Sequence, residues 1–177
     1  MDNMLRIKRM SGRLRTVSGL MFWATPLFCA IYWIYLNEFP DVLKDPSILT
    51  WPQGLPALNR GLCFAATMLP AGVAMYGFSV LGALFGLYAA GELFSERNVS
   101  CYHKLGRTLL YWAGAGFLHT TLISLAISVG KPQGQRHVTV LLDSIELMAL
   151  FAGAAALVIS WVMDEGRGIE EERALTI

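Results

Sequence analysis

Residues Leu62 to Ala90, LCFAATMLPAGVAMYGFSVLGALFGLYAA, carry no charged side chain. At 1.5 Å rise per residue, a helix of that length is more than long enough to cross a hydrocarbon layer of about 30 Å. Pro70, Gly72, Gly77, Gly82 and Gly86 interrupt the stretch and would weaken a helix in water. In lipid, an unpaired backbone group is costly enough that the helical ladder persists around such residues. Residues 61–90 therefore predict a membrane-spanning helix.

The chain has three other long apolar runs, the last of them containing Asp143 and Glu146. Val17 to Leu36, VSGLMFWATPLFCAIYWIYL, is free of charge, with Pro26 to be kinked around or absorbed and Tyr32, Trp33 and Tyr35 placed as interfacial anchors. Thr108–Val129 and Val138–Met163 complete the set. For a 177-residue chain, 55% hydrophobic and 15% charged residues is an unusual balance in a water-soluble domain. The expected fold is all-α, an integral membrane four-helix bundle with both termini cytoplasmic.

The connecting segments set the domain layout. A basic N-terminus, 1–16, requires no folded element and sits where cations meet anionic headgroups. The 37–60 segment holds Pro40, Pro46, Pro52 and Pro56. It reads as an ordered extracytoplasmic loop or short interfacial pieces, with a ligand-receiving lid as the functional alternative. Residues 91–107 form a cytoplasmic loop in which Ser95 is a candidate N-cap for a helix running into the third span. The 130–137 stretch, GKPQGQRH, is a turn punctuated by Gly130, Pro132 and Gly134. An acidic tail, 164–177, closes the chain.

Orientation follows from the cations, because Lys and Arg are retained on the cytoplasmic side. With the N-terminus inside, that face holds Arg6, Lys8, Arg9, Arg13, Arg15, Arg97, Lys104, Arg107, Arg167 and Arg173, against Lys44, Arg60, Lys131 and Arg136 outside. The formal net charge of +1 hides this asymmetry. Cys29, Cys63 and Cys101 are odd in number and fall at different depths, which argues against a disulfide framework. Bulky Phe28 before Cys29 and the length of the first apolar run favour an uncleaved anchor over a signal peptide.

His119, Asp143 and Glu146 lie inside predicted spans, where ionisable groups are functional candidates by default. His119 and Glu146 stand at similar depths from the outer face, and Asp143 and Glu146 share a helix face. The functional reading is a proton relay or cation site with Thr120, Thr121 and Ser124 nearby; the simpler reading, an interhelical hydrogen-bonded pair that fixes packing, is preferred. One histidine and two carboxylates make a weak metal pattern, and no metal or other cofactor is expected. Gly82, Gly86 and Ala90 form one close-approach stripe, and Ala149, Gly153 and Ala154–Ala156 form another. The chain has no P-loop, HExxH, CxxC or nucleophile elbow. Ser95 and His103 read as a surface cap and a solvated histidine, and no enzyme activity is expected.

The pieces GELFSERNV (Gly91–Val99), LGRTLL (Leu105–Leu110) and DEGRGIEEERALTI (Asp164–Ile177) resemble the small bacterial membrane proteins of domain-of-unknown-function family 2975. The likeness runs from the second span to the C-terminus, while the first span and Pro-rich loop agree in layout. The resemblance implies a multi-pass protein of the bacterial inner membrane, often encoded beside a short helix-turn-helix regulator. On that footing Asp164, Glu165, Glu170, Glu171 and Glu172 would attract the basic DNA-reading face of such a regulator, with Leu175 and Ile177 as apolar anchors. Direct nucleic-acid binding is not expected. The rival class is a small proton- or cation-coupled transporter built on His119, Asp143 and Glu146, as a homo-oligomer because four helices enclose little room.

A reporter that works only in the cytoplasm, fused to either end, is expected to signal. A periplasmic signal from either fusion overturns the orientation.

Overall fold

The computed structural model describes residues 2–38, 54–93, 95–129 and 144–175 together with Val138 and Val140, with side chains from Met4 to Gly166 within those ranges. Four helices account for nearly all of it: α1 (Asp2–Tyr35), α2 (Ala57–Ala90), α3 (Glu96–Ser128) and α4 (Ser144–Leu175). All four are long and apolar enough to cross a membrane, and no strand occurs among the described residues.

Several boundaries differ from the expected ones, each for a physical reason. α1 starts at Asp2, so the basic segment 1–16 is helical: Leu, Arg, Lys and Met are good helix formers, and the span supplies the nucleus. The 91–107 loop contracts to a turn, because α3 starts at Glu96 and continues unbroken to Ser128. Ser95 takes the extended N-cap backbone, yet its hydroxyl makes no capping bond and is buried without a partner. α4 starts at Ser144, beyond the non-helical Val138 and Val140, and its helix runs through Leu175. Most of the Pro-rich loop and the 130–137 turn lie outside the described residues. The helices continue through Pro26 and Pro70.

The helices pack in chain order, α1 on α2, α2 on α3 and α3 on α4, and no other pair is in contact among the described residues. This serial arrangement puts the N-terminus, the α2–α3 turn and the C-terminal end of α4 on one face. Only 11% of the most apolar window of α1, α2 or α4 is buried, against 33% for α3. Large apolar side chains such as Trp23 and Phe151 are 74% and 80% exposed, whereas Ser18, Asn98, Thr108 and Ser160 are buried. Water would not tolerate that distribution, and lipid accommodates it.

Small residues make the contacts. On α2, Gly82 faces the Ser18 Cβ and Gly86 faces the Arg15 side chain, each with an atom 3.7 Å from where a Cβ would stand; this stripe serves α1. At the α3–α4 crossing, a Cβ on Gly106 would lie 3.1 Å from the Gly153 carbonyl oxygen, and one on Gly153 would lie 3.0 Å from the Gly106 oxygen. Two backbones can approach so closely only without side chains between them.

Gly106→Val and Gly153→Val are expected to cost about 1–3 kcal/mol of stability each, the usual penalty for overpacking. Gly114→Ala, where an added Cβ meets nothing within 4 Å, is the control. Thermal unfolding in detergent checks the contrast; equal losses at all three positions would contradict it.

Candidate functional site

The intramembrane cluster is built around Thr67 on α2. Its hydroxyl donates to the Cys63 carbonyl one turn back, at 2.9 Å. With that proton committed, the oxygen accepts from the Trp33 indole Nε1–H of α1 at 2.9 Å and from the His119 ring of α3 at 3.2 Å. A hydroxyl has one proton and two lone pairs, so this geometry assigns the His119 proton to Nε2. One side chain thereby ties three helices together.

Trp33 is 5% exposed and is therefore an interior clasp rather than the interfacial anchor its position suggested. Tyr32 rests against it edge-on, with ring centroids 5.4 Å apart. Leu36, Leu55, Cys63, Ala66, Ile123, Ala126 and Ile127 complete the apolar core around them. Just above it, Asn37 closes the neck of the Pro-rich loop: its amide donates to the Leu55 carbonyl at 3.2 Å and its Oδ1 accepts from the Leu55 N–H at 3.0 Å.

Glu146 reaches α3 one helical turn from His119. A Cβ on Gly116 would stand 2.5 Å from Glu146 Oε1 and 3.1 Å from its Cγ, so the half-buried carboxyl arm lies directly over the glycine. Asp143 is outside the described residues. Thr120, Thr121 and Ser124 donate to carbonyls of their own helix, those of Gly116, Phe117 and Thr121. Back-bonding of this kind satisfies a hydroxyl locally. No three His, Cys, Asp or Glu side chains converge on a metal-sized site among the described residues.

Neighbouring residues at the start of α2 have a role that sequence reasoning missed. Asn59 Nδ2 donates to the carbonyls of Ala126 and Val129 at 2.8 and 3.0 Å, and Arg60 Nη1 donates to the carbonyl of Ile34 at 2.6 Å. The last carbonyls of a helix lack the full set of intrahelical donors, and neither α3 nor α1 has a basic residue in its last turn. Among the described residues, the Ala126 carbonyl receives only a long 3.4 Å bond from the Val129 N–H besides that of Asn59. The first turn of α2 caps both neighbours. The signal available in sequence was a polar pair abutting a charge-free run.

At the opposite end, the GELFSERNV stretch builds the α2–α3 turn. Gly91 adopts φ 96°, the left-handed region open to glycine, and the aliphatic end of Lys8 comes within 3.0 Å of where a Cβ would stand. Asn98, fully buried, donates its amide to the Glu92 carbonyl at 2.8 Å. The Tyr88 and Tyr102 hydroxyls meet at 2.7 Å. His103 is not solvated: its Nδ1 pairs with the buried Ser160 hydroxyl of α4 at 3.1 Å. Cys29, Cys63 and Cys101 are all free thiols, and Cys101 is buried on α3 rather than placed in a loop.

In the tail, Asp164 and Glu165 are exposed. Glu170, Glu171, Glu172 and Leu175 lie on the continuing α4 backbone, with side chains outside the described residues, as is Ile177.

Inverted burial, four spanning helices and hydrogen-bonded polar ties between them define a multi-pass α-helical membrane protein. Residues 17–177 match the family described as protein of unknown function (DUF2975), and the chain belongs to that family. The match takes in the first span and the Pro-rich loop as well as the second half. No curated protein and no solved structure matches the chain.

Thr67→Val keeps the side-chain shape and removes the shared acceptor; it is expected to cost about 1 kcal/mol. A double-mutant cycle with His119→Ala, read by unfolding in detergent, should give non-additive losses. Strict additivity would dissolve the clasp.

Proposed function

We propose that the protein is a non-enzymatic regulatory or scaffold protein of the bacterial inner membrane, with both termini cytoplasmic, that captures a cytoplasmic partner on the helical end of α4. The observation that carries this reading is the continuation of α4 beyond its apolar stretch as far as Leu175. From Asp164 onward the chain carries Glu165, Glu170, Glu171 and Glu172 on that helix. A helix presents charge at a fixed place above the membrane with less ordering entropy to lose on binding than a loose tail has.

The chemistry of the tail fits a partner with a basic surface, and a small helix-turn-helix regulator has one where it reads DNA. Occupation of that face by the tail would compete with DNA. The excess of cations on the terminal side of the membrane supports a cytoplasmic location for the tail. Transport through His119 and Glu146 is the weaker reading, because the Trp33–Thr67–His119 chain gives the histidine a packing role.

Detergent-solubilised protein is expected to co-purify with a helix-turn-helix regulator encoded beside it, and removal of residues 164–177 should abolish recovery. Equal recovery with and without the tail would overturn the proposal.

A further inference from the structure

Lys104 and Arg107 occupy an unusual level. The Thr108 methyl lies 3.2 Å from where a Cβ on Gly77 would stand, which places Arg107 beside the middle of the charge-free run of α2. The deepest cation of α1, Arg15, packs on Gly86 instead. Gly77 and Gly86 are nine residues apart, so Arg107 stands on the order of 12 Å farther along α2 from the terminal face than Arg15 does. A cation at such a level needs a counter-charge or a route to the interface. Neither Lys104 nor Arg107 has a carboxylate partner among the described residues.

Both line a groove of about 510 Å³ between α2 and α3. Its apolar wall is Leu69 and Val73, and the Tyr76 and Tyr111 side chains flank it. Gly72 leaves its floor open, since an added Cβ there would meet nothing within 4 Å. Two cations, two phenols and a strip of aliphatic surface along the helices match an anionic headgroup with an acyl chain running toward the bilayer centre.

We propose that this groove is a binding site for an anionic phospholipid of the leaflet on the terminal side, its phosphate held by Lys104 and Arg107 and its chain lying on Leu69 and Val73. The phosphate supplies a counter-charge that no carboxylate among the described residues provides. Tyr76 and Tyr111 line the same groove and bring to it two phenol donors for phosphate or glycerol oxygens. Arg15 of α1 also lines a groove, of about 550 Å³ between α1 and α2, but as its one cation where the α2–α3 groove has two. Arg6 and Arg9 do not line the α2–α3 groove and attract anionic lipid diffusely.

The test uses the full-length protein in nanodiscs of phosphatidylcholine containing a minor fraction of phosphatidylglycerol, with the lipid retained after detergent extraction counted by native mass spectrometry. Wild type should retain phosphatidylglycerol in preference to phosphatidylcholine. Lys104→Gln with Arg107→Gln should weaken that retention on the order of thirtyfold, the effect of two cation contacts near a membrane surface. Val73→Trp, which fills the groove and keeps both charges, should also lower it, whereas Arg6→Gln with Arg9→Gln, outside the groove, should leave it within about twofold of wild type. Equal loss from the Arg6 and Arg9 pair would reduce the effect to general charge and overturn the site. Undiminished retention in Val73→Trp would do the same, as would equal retention of the two lipids by wild type. Thermal unfolding of every variant, matched to wild type within a few degrees, keeps misfolding from imitating the expected loss.

Discussion

Hydrocarbon offers no hydrogen-bond partner, and the whole molecule is arranged around that fact. A peptide group left open in the bilayer costs several kcal/mol, so long helices are the economical answer and their ends are the problem that remains. At one face the solution is concentrated in Asn59 and Arg60, which reach sideways to the terminal carbonyls of α3 and α1. Along the spans, Ser18, Thr25, Thr67, Thr108 and Ser128 turn their hydroxyls to carbonyls four residues back in the same helix. These hydroxyls are thus satisfied within their own helices, whereas Arg60 Nε, Ser95 Oγ and Asn98 Oδ1 are buried without a partner among the described residues.

With lipid outside, helices gain little by hiding apolar surface from one another. Association relies on close backbone approach and a few polar ties. The Gly106–Gly153 crossing supplies the first for α3 and α4, and the Thr67 clasp supplies the second for α1, α2 and α3. The serial packing order follows: each helix is committed to its neighbours in sequence, and α1 and α4 present their outer faces to the bilayer.

Chemical variety gathers at the face where the chain begins and ends. There the α2–α3 turn is fastened by Asn98 and Gly91, the tyrosines of α2 and α3 meet, and α1 and α4 extend as helices of opposite charge. The other face carries the loop neck pinned by Asn37 and Leu55. Among the described residues, the charged helix ends thus gather on one side and the apolar core around Trp33 lies toward the other.

Length and hydropathy alone determined that four helices are long and apolar enough to cross a bilayer, because predominantly apolar runs of about twenty residues have no other stable home. The spacing of Gly82 and Gly86, and of Gly153 within its alanine run, already marked the faces that meet a neighbour. Tertiary structure alone decided what the polar residues do. Trp33 reads as an interfacial anchor, Arg60 as a loop cation and His103 as a solvated side chain until α2, α1 and α4 bring Thr67, the Ile34 carbonyl and Ser160 beside them. Partners contributed by other helices, such as His119 for Thr67 at 52 positions' separation, leave no periodic trace along the chain. Hydrophobic matching with lipid is a property of each segment by itself, whereas hydrogen bonding between helices exists only once their register is set.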